Sequence, residues 1–263
     1  MKIAFWSPMH GTGATANLLA VGMELAFSDK LKTLVTQTHF AMNNLEMPLL
    51  GRNTAEEFFQ DTGLDAVMRH FKSGELTEKQ ITNCSIKIGS ELYLLAGTRI
   101  SNKESYENQV IQSMVTRIIS VADRYYDLVM IDTNSGCTGQ SYEIMNECDL
   151  MVVNLRQDRN MIEAVIKDEF FRNKRIFYLF GNYDASSKYN LNNIRRLYKS
   201  INKNNSAGII YNTDFMDAIT DGNVLDYYAE NMNADEDFYD MEFFKSVRET
   251  VGKLLDYIGG GKP

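Results

Sequence analysis

The residues best suited to chemistry lie near the amino end. There Ile3-Ala4-Phe5-Trp6 runs into Ser7-Pro8-Met9-His10-Gly11-Thr12-Gly13-Ala14-Thr15-Ala16 and on into Asn17-Leu18-Leu19-Ala20. A glycine-containing turn between a buried strand and a helix holds phosphate, because unpaired N–H groups and the helix dipole point at the same anion. The general phosphate-loop template asks for Gly, four residues, then Gly-Lys-Ser/Thr. Gly13 and Thr15 match, whereas Pro8 stands at the first glycine and Ala14 at the lysine. On these residues alone the segment is either a phosphate loop without its cation or an ordinary turn between strand and helix.

Three later segments bear on that choice. Tyr126 to Gly136 is an apolar run that ends in Asp132, with a glycine four residues on. Leu94-Leu95-Ala96-Gly97-Thr98 reads as a strand and turn, and Tyr211 to Gly222 as a strand end leading into a helix.

The elements that must position these residues follow from hydrophobic patterning. Short β-rich runs fall at 2–6, 33–37, 92–95, 128–132, 150–154, 175–180 and 207–211. Apolar residues recur at three and four over 14–27, 54–71, 107–123 and 160–172, which predicts helices between the strands. That alternation implies an α/β fold, a mostly parallel sheet with helices on both faces. No Pro/Ser-rich linker interrupts it, so one domain is expected over 1–258, with 259–263 a flexible tail.

Composition narrows the function classes. The 263 residues carry 27 Lys+Arg against 35 Asp+Glu, a formal charge of -8, which argues against coating nucleic acid by bulk charge. With 14 Phe, 14 Tyr and only 3 Pro, disorder is excluded. The apolar run Ile3–Trp6 is too short for a signal-peptide core, and no charge-free stretch is long enough for a transmembrane segment. Cys84, Cys137 and Cys148 are an odd set without Cys-x-x-Cys spacing, so neither a disulfide framework nor a zinc site is indicated. A cytoplasmic protein is expected.

Taken in order, the four segments resemble the ParA/MinD family of P-loop ATPases, in register from residue 1 to about 256. The resemblance implies an ATP or ADP site with magnesium, held by Gly11, Thr12, Gly13, Ala14 and Thr15, with Thr15 and Asp132 at the metal and Asn182 at the adenine edge. The departures are specific. Met9 occupies the position of the signature lysine that crosses the family's dimer, and Ala14 that of the lysine on the β and γ phosphates. Gln37 and His39 replace an acidic pair, leaving Asp132 as the acid expected near the metal. The resemblance therefore implies weak nucleotide binding and slow or absent hydrolysis, as in the degenerate-loop TadZ/CpaE-like branch.

Two functions follow as expectations. One is a positioning or assembly scaffold for a bacterial pilus or secretion apparatus, recruited to a membrane-associated machine. The other is an active ATPase of partition or septum-placement type. A homodimer is expected in either case.

Other features take plainer readings. His10 and His39 either stand in part for the lost lysines or bind metal, or are partly exposed loop residues; the second is expected, since two histidines alone make a poor metal site. His70 reads as surface and Cys137 as a structural thiol. Lys188, Arg195, Arg196, Lys199 and Lys203 accompany a helix patterned on Leu191, Ile194, Leu197, Tyr198 and Ile201. They form a solvated face rather than a nonspecific DNA surface. The last helix, 235–258, carries Phe238, Met241, Phe244, Val247, Val251 and Leu254 on one side; its acidic polar face favours packing on the domain over a lipid surface.

Overall fold

The computed structural model describes residues 1–39, 44–51, 61–72, 76–89, 91–100, 102, 104, 109–136, 139–232 and 241–259. Among them eight strands form one sheet: β1 (Lys2–Trp6), β2 (Thr33–Gln37), β3 (Ile86–Ile88), β4 (Leu92–Leu95), β5 (Leu128–Asp132), β6 (Leu150–Leu155), β7 (Ile176–Tyr183) and β8 (Ser206–Ile210). The order is β3-β4-β2-β5-β1-β6-β7-β8. Every pairing is parallel except β3 against β4.

This order explains the unbroken apolar runs. All residues of β2, β5 and β6 are buried, because a parallel sheet is covered by its crossover helices on both faces. Successive side chains go to opposite layers. Ile3 and Phe5 join α1 (Ala14–Phe27) and the last helix, whereas Ala4 and Trp6 pack with residues of the helix after β6.

The remaining described helices are α2 (Glu46–Leu50), α3 (Gly63–Lys72), α4 (Glu78–Cys84), α5 (Gln109–Ala122), α6 (Gly139–Glu147), α7 (Arg159–Lys167), α8 (Leu191–Leu197), α9 (Thr213–Asp221), α10 (Val224–Asn231) and α11 (Met241–Gly259). No described helix is long and apolar enough to cross a membrane. On α11, Phe243, Phe244, Val247, Val251 and Leu254 are buried in the core shared with α1. At about 1.5 to 3 kcal/mol for each fully buried large side chain, that face is held by the protein itself. Arg175 donates to the carbonyls of Tyr257 and Ile258, which places a cation at the carboxyl end of α11.

Several expected boundaries shift for local reasons. The 160–172 helix stops at Lys167, because Asp168 caps a separate 3-10 turn over Glu169–Phe171. The 175–180 strand begins at Ile176 and continues to Tyr183 through an irregularity after Phe180. The last strand is displaced by one residue, to Ser206–Ile210, and β3 was not foreseen. Residues 54–60 of the 54–71 helix, the acidic start of 235–258 with Phe238, Cys137 and residues 260–263 of the expected tail lie outside the described residues, whereas Gly63–Lys72 is helical and the last helix takes in Gly259.

The basic segment is corrected more deeply. Helix α8 ends at Leu197, a side chain 59% exposed, so the apolar pattern through Ile201 is not one helix. Arg195 donates from Nε to the Ser206 hydroxyl and from Nη2 to the Ser206 carbonyl, and its partial burial lowers its pKa. It braces β8 and does not belong to a solvated basic face.

Candidate functional site

The turn after β1 is built from conformations that glycine adopts without strain. Gly11 has φ +76° and Gly13 has φ +84°, both left-handed. Gly13 is the N-cap of α1, and no side chain caps the first-turn N–H groups. The turn is laced to the segment after β5. Ser7 Oγ donates to the Met9 carbonyl at 2.6 Å, the Gly136 N–H donates to the Ser7 carbonyl at 2.9 Å, and Trp6 Nε1 donates to the Gly136 carbonyl at 3.0 Å. Beneath it Asn17 Nδ2 donates to Asn154 Oδ1 at 2.9 Å, and Asn154 Nδ2 donates to the Trp6 carbonyl at 3.2 Å. This buried amide pair pins the start of α1 between β1 and β6.

Asp132, 1% exposed at the carboxyl end of β5, is the centre of the site. Thr15 Oγ1 donates to its Oδ2 at 2.7 Å. His39 Nε2 lies 3.2 Å from the same oxygen. Asp132 Oδ1, His39 Nε2 and Thr12 Oγ1 are buried and make no hydrogen bond among the described residues. Buried polar atoms left this way call for a ligand, an ion or a water.

These groups open on a cleft of about 340 Å³, with Asn182, Tyr211, Met216 and Ile219 along its far side. Its described lining includes His10 and His39 but no lysine or arginine. An anion placed there meets backbone dipoles and a carboxylate, with no lysine or arginine among the described lining residues to neutralise it. Met9 lies at the loop's outer surface, 47% exposed, with its sulfur 3.4 Å from Arg156 Nη2.

The fold thus gathers Gly11, Thr12, Gly13, Ala14, Thr15, Asp132 and Asn182 around one cleft. Asn182 is an exposed residue with φ +49° near the end of β7, and Gly181 before it lies so close to the Thr12 carbonyl that a side chain there would overlap it. One expectation is corrected. His39 is not a partly exposed loop residue: it is 6% exposed and faces Asp132. A further acid lies by the end of β2, outside the described lining of the cleft. Glu46, 1% exposed on α2, accepts from Gln37 Nε2 at 2.5 Å and from the Gly97 N–H at 2.6 Å. Desolvation pushes its pKa up despite those donors. Nothing in the local pattern marks Glu46, since its partners come from other elements. His10 and His70 are exposed, as expected.

No protein-family model matches the chain, and no curated protein matches it in sequence. Solved structures do match in shape. A ParA family ATPase from Chlorobium tepidum TLS superposes with TM-score 0.72 at 13% identity, over 95% of this chain and 98% of that one. The fold is that of the ParA/MinD ATPases. The cell division ATPase MinD of Pyrococcus furiosus aligns at TM-score 0.69 and 15% identity, over 96% of this chain and 98% of that one. The septum site-determining MinD of Pyrococcus horikoshii OT3, solved with Mg-ADP, aligns at TM-score 0.67 and 15% identity, over 96% and 95%. Within a ParA/MinD fold the cleft described here lies at the carboxyl ends of β1 and β5, where open parallel sheets bind ligands. The orphaned Thr12 hydroxyl and Asp132 oxygen fit a phosphate ligand carrying a divalent ion.

Proposed function

We propose that this chain is a ParA/MinD-like positioning or assembly scaffold, serving a bacterial pilus or secretion apparatus, in which the nucleotide site has eroded. The observation that carries this reading is the cleft itself. Left-handed Gly11 and Gly13 lead into the start of α1, and no lysine or arginine lines the cleft among the described residues. The N–H groups of Gly11, Gly13, Ala14 and Thr15 would cradle a phosphate, Thr15 and Asp132 would hold magnesium, and Asn182 would meet the base. The magnesium ion would neutralise phosphate charge; the chain's own residues would bind and orient.

Phosphoryl transfer depends on positioning and on neutralising charge at the transferring oxygens. One such electrostatic donor is worth about 3 to 4 kcal/mol. Two missing lysines therefore remove most of a modest ATPase's acceleration, while backbone contacts still permit weak binding. The pilus or secretion role is supported by the likeness of the stripped loop to the TadZ/CpaE-like branch. Calorimetry with Mg-ATP and a phosphate-release assay test the reading together. Binding in the high micromolar range or weaker, with turnover at background, is the expected result. Submicromolar binding with measurable turnover would overturn it and support an active partition-type ATPase.

A further inference from the structure

A second cavity lies at the opposite end of the sheet, by the amino end of β7, between the turn over 168–174 and the residues leading into β8. It holds about 300 Å³, close to the size of the cleft, and cavities of this size take small organic ligands. Its charge is the reverse of the cleft's. Lys167, Arg172 and Lys174 line it on a chain of formal charge -8, whereas the described lining of the cleft has no lysine or arginine. Lys167 Nζ pairs with Glu163 at 2.8 Å and Lys174 Nζ donates to Asn146 Oδ1 at 2.7 Å. Arg172 is exposed beside Asn173, where the chain turns through a left-handed φ of +65°, and makes no ion pair among the described residues. Of the acids in the lining, Asp168 accepts the Phe170 N–H of its own turn at 2.9 Å and Glu169 stands on the exposed rim. The floor is apolar: Phe171, Ile176 and Tyr178 are buried, and burial raises the Tyr178 pKa, so its phenol keeps its proton. Tyr257 closes one side, fixed by Arg175, which lies 5.3 Å from its ring centroid and donates to its carbonyl.

We propose that this cavity binds a small aromatic anion, its ring set against Tyr257 and the apolar floor and its acidic group on Arg172. A planar guanidinium that makes no ion pair within the protein takes a carboxylate, sulfonate or phosphate through paired N–H donors. A ring fixed in place, as Tyr257 is, gives a planar ligand a wall to pack on without first being ordered. The site stands apart from the cleft and does not depend on how the cleft treats nucleotides.

The test titrates the full chain with two fluorescent probes, the aromatic sulfonate 8-anilinonaphthalene-1-sulfonate and its uncharged relative N-phenyl-1-naphthylamine. In Arg172→Glu the affinity for the sulfonate is expected to fall about tenfold or more, the loss that goes with one charged hydrogen-bonded contact. The neutral probe changes less than about threefold, because apolar contact holds it. Arg172→Lys keeps the charge and lies between the wild type and Arg172→Glu. Ser200→Trp places a bulky side chain on the exposed rim, and both probes are lost while the urea unfolding midpoint stays put. The Arg172 variants alter an exposed side chain, and the neutral probe reports in the same sample that the cavity is intact. No binding of the sulfonate by the wild type, equal changes of the two probes in Arg172→Glu, or retention of either probe in Ser200→Trp would overturn the proposal.

Discussion

Gly181 on β7 packs its α-carbon against the backbone carbonyl of Thr12, so closely that a side-chain methyl group would overlap the oxygen and crowd Asn17 Nδ2. The approach joins the loop after β1 to the strand that carries Asn182. Gly181→Ala must displace backbone, not the end of a flexible side chain. It is expected to cost about 1 to 3 kcal/mol in urea unfolding, with loss of hydrogen-exchange protection at the Asn17 amide. Wild-type stability in this variant would show that the loop yields freely.

Restoring two cations to the loop tests whether its backbone still presents phosphate-binding geometry. Met9→Lys combined with Ala14→Lys is expected to raise ATP affinity by tenfold or more, since charge-assisted contacts are worth about 1.5 to 3 kcal/mol each. Hydrolysis need not return, because Gln37 and His39 remain without carboxylates. An unchanged affinity in calorimetry would mean that Pro8 or His10 closes the loop to phosphate.

Self-association is expected to be independent of nucleotide. Met9, 47% exposed on the loop's outer surface, needs no phosphate to neutralise it and gains from burial against a second copy. Light scattering with and without Mg-ATP should give one and the same mass. A clean monomer-to-dimer shift on adding ATP would contradict this and revive the switching ATPase.

Glu46 makes stability depend on pH in a defined direction. Burial raises its folded-state pKa above the ordinary 4.5, so the folded protein holds that proton more tightly than the unfolded chain. Its contribution is therefore fully present below about pH 4.5 and is lost as pH rises through the raised value. Comparison with Glu46→Gln isolates this one group. The stability advantage of the wild type over the variant, from urea unfolding, is expected to shrink between pH 4.5 and 7. An advantage that grows with pH would show that the Gln37 and Gly97 donors outweigh desolvation.

Much of the frame was legible in the residues because its causes are local. Helix α1 falls where its spacing places it, Ala14–Phe27, since a left-handed Gly13 starts it and apolar side chains recur at helical period. The runs at 2–6 and 128–132 could only be strands covered on both faces, and the turn after β1 announced itself by Gly11 and Gly13. The contacts that give the cleft its character have no local cause. Thr15 meets Asp132 across 117 residues and Asn17 meets Asn154 across 137. His39 becomes a buried neighbour of Asp132 because β2 pairs with β5, and Arg195 turns from a surface cation into a brace because β8 lies beneath α8. Glu46 finds Gln37 and Gly97 because β2 and β4 bring their ends together. Periodicity and turn chemistry act over a few residues and set the elements. Strand order brings distant side chains into one low-dielectric space, where burial and pairing set what each can bind.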